Sequence, residues 1–196
     1  MINRLNCSYI LASASPRRRE FLEMLGLHFS ILLSDVDELT YELAPLELVQ
    51  ANAALKVDGI FDQHKDKIGE STVVIGADTI VHRDDKIWGK PESKEIATAY
   101  LLELENAWHS VTTAVCLRSW NKRKLFYVTT RVHFTKIDRE YLKWYVNSED
   151  SLDKAGAYGV QGAAQVFIDK IDGSYSNVVG LPIAELTLQL EQFCHK

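Results

Sequence analysis

The stretch S-A-S-P-R-R-R-E, residues 13–20, puts three arginines at what reads as the start of a helix. Ser15 is a good N-cap, and Pro16 suits the first helical position because the N–H it lacks would find no partner there. Arg17, Arg18 and Arg19 then sit at the positive end of the helix dipole, where acidic residues are the usual choice and cations are disfavoured. An anionic ligand removes the conflict. Unpaired backbone N–H groups, the hydroxyls of Ser13 and Ser15 and the bidentate guanidinium fork all suit phosphate or carboxylate oxygens. The alternative is a solvated helix face, with Glu20 and Glu23 offsetting the arginines.

A second group of residues offers carboxylates and lysines. In V-V-I-G-A-D-T, Asp78 follows four apolar residues and a small pair, as expected of a carboxylate presented at the end of a buried strand. Such a carboxylate can hold Mg²⁺, act as general base toward water, or merely cap a turn. Glu38, in the acidic V-D-E segment, offers a second carboxylate. Lys56 in N-A-A-L-K-V and Lys90 in G-K-P are either phosphate ligands or ordinary surface lysines, and Gly89 and Pro91 would hold the backbone at Lys90 in a defined turn. The segment G-A-Y-G-V-Q-G spaces Gly156, Gly159 and Gly162 evenly but matches neither a Walker loop nor G-x-G-x-x-G. It reads as an irregular loop with close backbone approach, from which Gln161 could read a base edge.

Other chemistries find little support. The histidines form no H-x-x-x-H or H-E-x-x-H, and G-x-S-x-G is absent, which argues against zinc sites and a covalent serine nucleophile. His109 and His133 fall in strand-like runs and read as structural.

The elements that must carry these residues follow from periodicity. S-Y-I-L-A-S predicts a strand leading into the capped helix, whose Phe21, Leu22 and Leu25 recur at helical spacing before Gly26. H-F-S-I-L-L-S predicts a second strand, V-D-E-L-T-Y an acidic loop, and Pro45 to about Phe61 a helix. T-V-V-I-G-A-D-T-I-V is a β-branched run interrupted by Gly76 and Asp78, followed by a turn at R-D-D-K and a strand end or loop at I-W-G-K-P. A helix capped by Ser93 runs to Glu105. The strands H-S-V-T-T-A-V-C-L and L-F-Y-V-T-T-R-V-H-F form an antiparallel hairpin around S-W-N-K-R-K. A helix from Asp138 to Val146, a strand Q-V-F-I-D-K-I, a loop D-G-S-Y-S-N-V-V-G-L-P and a helix from about Ile183 complete the chain. Early alternation with a hairpin in the middle predicts a mixed sheet in an α/β protein.

With 196 residues, 46% of them apolar, the chain is expected to form one domain with a substantial core. A net charge of -5 argues against a general nucleic-acid binder, so the anion site is local. Cys7, Cys116 and Cys194 are odd in number and far apart, which fits reduced thiols rather than a disulfide framework. The start of the chain has too short an apolar core for a signal peptide and no run is long enough for a membrane span, so a cytoplasmic protein without membrane partner is expected.

Together, S-A-S-P-R-R, G-A-D-T-I-V, G-K-P, D-K-A-G-A-Y-G-V-Q-G and G-S-Y-S-N-V-V-G-L-P, in that order, resemble the Maf family of nucleoside triphosphate pyrophosphatases. The resemblance spans almost the whole chain, residues 1–196 being one such domain. It implies an α/β fold related to the inosine triphosphate pyrophosphatases: an elongated mixed sheet flanked by helices, two lobes and a central cleft. It also implies Asp78 as general base, Ser13, Arg17, Arg18, Lys56 and Lys90 as phosphate ligands, and Glu38 and Asp78 near a divalent cation, Mg²⁺, Mn²⁺ or Co²⁺. Subclasses of the family differ where Arg17, Thr79 and Gln161 stand here, and this combination is similar to the dTTP/UTP type; the 7-methyl-GTP type has tryptophan, glutamine and glutamate there. Arg19 lies outside the match. The implied reaction releases pyrophosphate and leaves the monophosphate, and the resemblance suggests a homodimer. The alternatives are a non-catalytic, nucleotide-responsive regulator of septum formation and a phosphatase releasing orthophosphate. The chain departs from the family at L-E-N-A-W-H, where leucine, serine, glycine usually open the segment before His109, and at Val57, where alanine usually follows the lysine.

Overall fold

The structure, a computed structural model, describes residues 7–40 and 43–194; the end of the expected acidic loop at Tyr41 lies outside them. The strands are β1 (Ser8–Leu11), β2 (Phe29–Ile31), β3 (Thr72–Arg83), β4 (Lys86–Trp88), β5 (Trp108–Arg118), β6 (Arg123–Phe134) and β7 (Ile168–Asp172). The helices are α1 (Pro16–Met24), α2 (Pro45–Gln63), α3 (Lys94–Leu104), α4 (Arg139–Val146), α5 (Tyr175–Val179) and α6 (Ile183–Cys194). The strands make a seven-stranded sheet in the order β2-β1-β3-β5-β6-β7, with β4 also paired to β3. Pairing is parallel for β1 with β2 and β3, antiparallel for β3 with β4 and β6 with β7, so the sheet is mixed and the fold α/β.

The chain divides into two compact units. One takes the residues up to Asp78, then Thr113–Val128, and everything from Gly180; the other takes Thr79–Thr112 and Thr129–Val179. In the first, the parallel pair β1 and β3 is buried as parallel strands usually are, through Ile10, Leu11, Val74 and Ile75. Leu22 of α1, Val49, Ala53, Val57 and Ile60 of α2, and Leu186 and Leu190 of α6 complete its core. The second unit packs Trp88, Leu101, Leu104, Phe134, Tyr145, Tyr158 and Phe167. The Trp88 indole N–H reaches Glu103 Oε2 at 2.8 Å, which satisfies its one donor while the ring stays buried.

Local chemistry explains the element ends. Ser15, Ser93 and Asp138 cap α1, α3 and α4 by accepting from Arg18, Ile96 and Tyr141 N–H groups. Asn106 takes a left-handed φ of 50°, a conformation asparagine tolerates better than most residues.

Three expectations are corrected. The run around Asp78 is uninterrupted, and Asp78 lies inside the 12-residue β3 rather than at a strand end, because Val81–Arg83 go on to pair with β4. The strand expected from Gln165 begins at Ile168; Ala163–Phe167 form a 3₁₀ segment, which turns Ala164 and Phe167 into the core. The loop before α6 contains the short helix α5, in which Asn177 is fully buried and its amide donates to Val111 O and Thr130 Oγ1.

Candidate active site

Six of the nine candidate residues belong to the first unit: Ser13, Arg17, Arg18, Glu38, Lys56 and Asp78. The turn from β1 into α1 brings Arg18 back over its own N-terminus. Its Nη1 donates to Ser13 Oγ at 3.1 Å and its Nε to Gly180 O at 2.9 Å, so the guanidinium is buried with its fork held in place. Burial lowers its affinity for the proton; the charges of Asp78 and Glu38 act the other way, and Arg17 adds to the lowering. Arg17 is half-buried, whereas Arg19 is exposed and pairs with Glu23 one turn on, outside the cluster.

Helix α2 delivers Lys56. Gly76 and Asp78 share one face of β3, since side chains alternate along a strand. A Cβ at Gly76 would lie 2.4 Å from Val57 Cγ2 and 2.9 Å from Ala53 O, so the missing side chain lets α2 approach that face closely. The approach allows Lys56 Nζ to reach Asp78 Oδ1 at 2.6 Å. Val57, the departure noted above, is fully buried over Gly76.

Glu38 arrives through a contact that the sequence reading missed. Asn52, one turn before Lys56 on α2, accepts from Leu39 N at 2.8 Å and donates to Leu39 O at 3.1 Å. An asparagine set among the apolar residues of the expected helix was the available signal, since such a residue needs a hydrogen-bond partner once it is buried. With Leu39 tied to α2, Glu38 Oε1 lies 2.8 Å from Lys56 Nζ. The lysine therefore bridges two carboxylates, one on a strand and one on a loop. The Asp78 side chain is 11% exposed and that of Glu38 56%, so the pair presents a sheltered and an open carboxylate.

These donors suit a hard divalent cation. Among the described residues no group of three or more His, Cys, Asp or Glu converges as a metal cage. Two carboxylates are nevertheless what Mg²⁺ commonly takes from a protein, the remaining positions going to water and substrate phosphates.

Thr79, Lys90 and Gln161 belong to the second unit. Thr79 is partly buried on β3, and Lys90 and Gln161 are exposed. Gly89 O accepts from Gly156 N at 3.1 Å, which ties the backbone beside Lys90 to the glycine loop. His109 and His133 are held by Tyr158 Oη at 2.7 Å and Asp169 Oδ1 at 2.6 Å, as structural histidines would be.

Residues 8–193 match the family described as Maf-like protein. The chain is 40% identical over 186 residues to a protein of Bacillus cytotoxicus named dTTP/UTP pyrophosphatase, covering 94% of this chain and 95% of that one. It is 42% identical over 185 residues to the protein of the same name from Bacillus pumilus, covering 94% and 95%. The match extends over both units, and its span includes every residue of the cluster built by β1, α1, α2 and β3: the chain belongs to the Maf-like family.

Proposed function

We propose that the protein hydrolyses nucleoside triphosphates between the α and β phosphates, with dTTP and UTP preferred and a divalent cation required. The observation that carries this reading is Lys56 bridging Asp78 and Glu38 in the unit where Arg18 is held on Ser13. The names of the relatives support the substrate class.

Arg18, Arg17, Ser13 and Lys56 bind the anionic phosphate chain in this reading, and the family resemblance makes Lys90 a further phosphate ligand. Asp78 accepts a proton from water as its oxygen attacks the α phosphorus; the α–β bridging bond breaks and its oxygen leaves with pyrophosphate. A cation held by Asp78 and Glu38 would offset charge on the phosphoryl oxygens. Lys56 already balances the carboxylate charge there, and would exchange part of that contact for phosphate oxygens.

Asp78→Asn tests the assignment. Loss of a general base lowers kcat by about 10²–10⁴-fold, with KM changed much less. Products are identified as pyrophosphate or orthophosphate at saturating Mg²⁺; near-normal turnover by the variant would overturn the role of Asp78. Absence of product from all common triphosphates with Mg²⁺, Mn²⁺ or Co²⁺ would favour a nucleotide-responsive regulator, and orthophosphate a phosphatase.

Base preference is assigned to Arg17, Thr79 and Gln161. Thymine and uracil carry a carbonyl at position 4 where cytosine carries an amine, so a donor placed there rejects cytosine. kcat/KM is expected to be higher for dTTP and UTP than for dCTP and the purine triphosphates. Equal values across the panel would remove these residues from base selection.

A further inference from the structure

We infer that His109 and Tyr158 are positioning residues that fix the loop presenting Gln161, an inference that rests on the reading of Gln161 as a base-selecting residue. All the contacts concerned lie within the second unit.

The loop begins with an unusual backbone. Gly156 and Ala157 are consecutive left-handed residues, with φ of 69° and 63°. Glycine adopts that region freely, but an alanine held there is strained and persists only when its surroundings enforce it. At Gly156 even a methyl group would crowd Val81 at 3.1 Å. Ala157 is fully buried, and its carbonyl accepts from the buried Tyr145 hydroxyl at 3.1 Å. Gly156 N is bound to Gly89 O, so the turn is fastened on both sides.

Tyr158 follows directly and points into the core. Its hydroxyl is 2.7 Å from His109 Nε2, and Phe134 packs edge-on against both rings, with centroids 5.0 Å from His109 and 4.8 Å from Tyr158. Val160 is buried as well. Gly162 N then donates to Gly159 O at 3.1 Å, closing a β-turn with Gln161 at its third position. Gln161 is thus an exposed side chain between backbone anchors, three residues from the His109–Tyr158 bond.

The pair is also the weak point of the anchoring. Among the described residues His109 Nδ1 is buried without a hydrogen-bond partner, so the bond to Tyr158 carries the polar contact between imidazole and core. Removing the Tyr158 hydroxyl leaves both ring nitrogens unpaired and loosens the turn that follows. Neither side chain is assigned a substrate contact; their effect on the reaction runs through the position of Gln161.

The test compares wild type, Tyr158→Phe, His109→Phe and His109→Gln, with the fold of each checked by thermal melting and near-UV circular dichroism. Tyr158→Phe deletes one oxygen, so it carries the test alone if His109→Phe does not fold. The two phenylalanine variants are expected to lower the ratio of kcat/KM for dTTP over dCTP by about tenfold, through KM, with kcat within about twofold. His109→Gln, which keeps a polar group for the Tyr158 hydroxyl, is expected to retain the ratio. A folded Tyr158→Phe with lowered melting temperature and the wild-type ratio overturns the inference, because a merely structural role moves only the first. Wild type that hydrolyses dTTP and dCTP equally overturns the base-selecting reading and this inference together, whereas a discriminating wild type with equally discriminating variants overturns this inference alone.

Discussion

Individual residues here take their meaning from their surroundings. Three adjacent arginines meet three environments: Arg17 half-buried, Arg18 enclosed on Ser13 and Gly180, and Arg19 in solvent with Glu23. His109 gives the clearest pH consequence. Burial, aided by the charges of Arg83, His133 and His82, pushes its pKa from the ordinary 6.5 down to about 3. Between those values the unfolded chain binds a proton that folded His109 refuses, so stability falls as pH is lowered through this window and levels off below it. The residue's share of the slope approaches about 1.4 kcal/mol per pH unit. Urea unfolding of wild type and His109→Gln from pH 7 to pH 4 checks this, with a shallower slope expected for the variant; parallel slopes would show that His109 titrates normally.

At the scale of elements, the decisive pair is α2 on β3. The α2 start at Pro45 and the caps at Ser15, Ser93 and Asp138 are legible because the signals are local: a proline at the first helical position, or a side-chain oxygen facing unpaired N–H groups. The length of β3 is less legible, since glycine and aspartate lower strand propensity; pairing with β1 before them, with β4 after them and with β5 as the neighbouring strand makes one strand of the run. The start of β7 is hidden for a related reason: residues 163–167 are apolar enough for a strand, yet the core accepts them as a 3₁₀ turn. Gly76→Ala forces a methyl group into Val57 and the Ala53 carbonyl, and overpacking of this kind costs about 1–3 kcal/mol. The variant is expected to unfold at lower denaturant and, by pushing α2 away from β3, to lose activity beyond its loss of stability. Full activity in a folded Gly76→Ala protein would disprove the close approach as the device that aligns Lys56.

The whole chain is woven rather than laid out in sequence. The first unit draws on three separate stretches, the last of which begins at Gly180, and three strands, β3, β5 and β6, run from one unit into the other. Helix α6 supplies Leu186, Leu190 and Phe193 to the first unit's core. Burial of such side chains contributes about 1.5–3 kcal/mol each, and three of them match much of the 5–15 kcal/mol by which a domain is stable. A chain ending at Pro182 is therefore expected to lose its cooperative urea transition and its pyrophosphate-releasing activity together. A cooperative transition of unchanged midpoint would show α6 to be dispensable.

The sequence by itself determined the α/β class, most elements, the family resemblance and the identities of the candidate groups, because caps, periodicity and ordered motifs are properties of neighbouring residues. Tertiary structure alone decided which of those groups meet. Lys56 and Asp78 are 22 residues apart, and their contact depends on a missing side chain at Gly76; Glu38 joins them only because Asn52 binds the backbone of Leu39. Such contacts arise from close packing of distant segments, which local pattern does not encode.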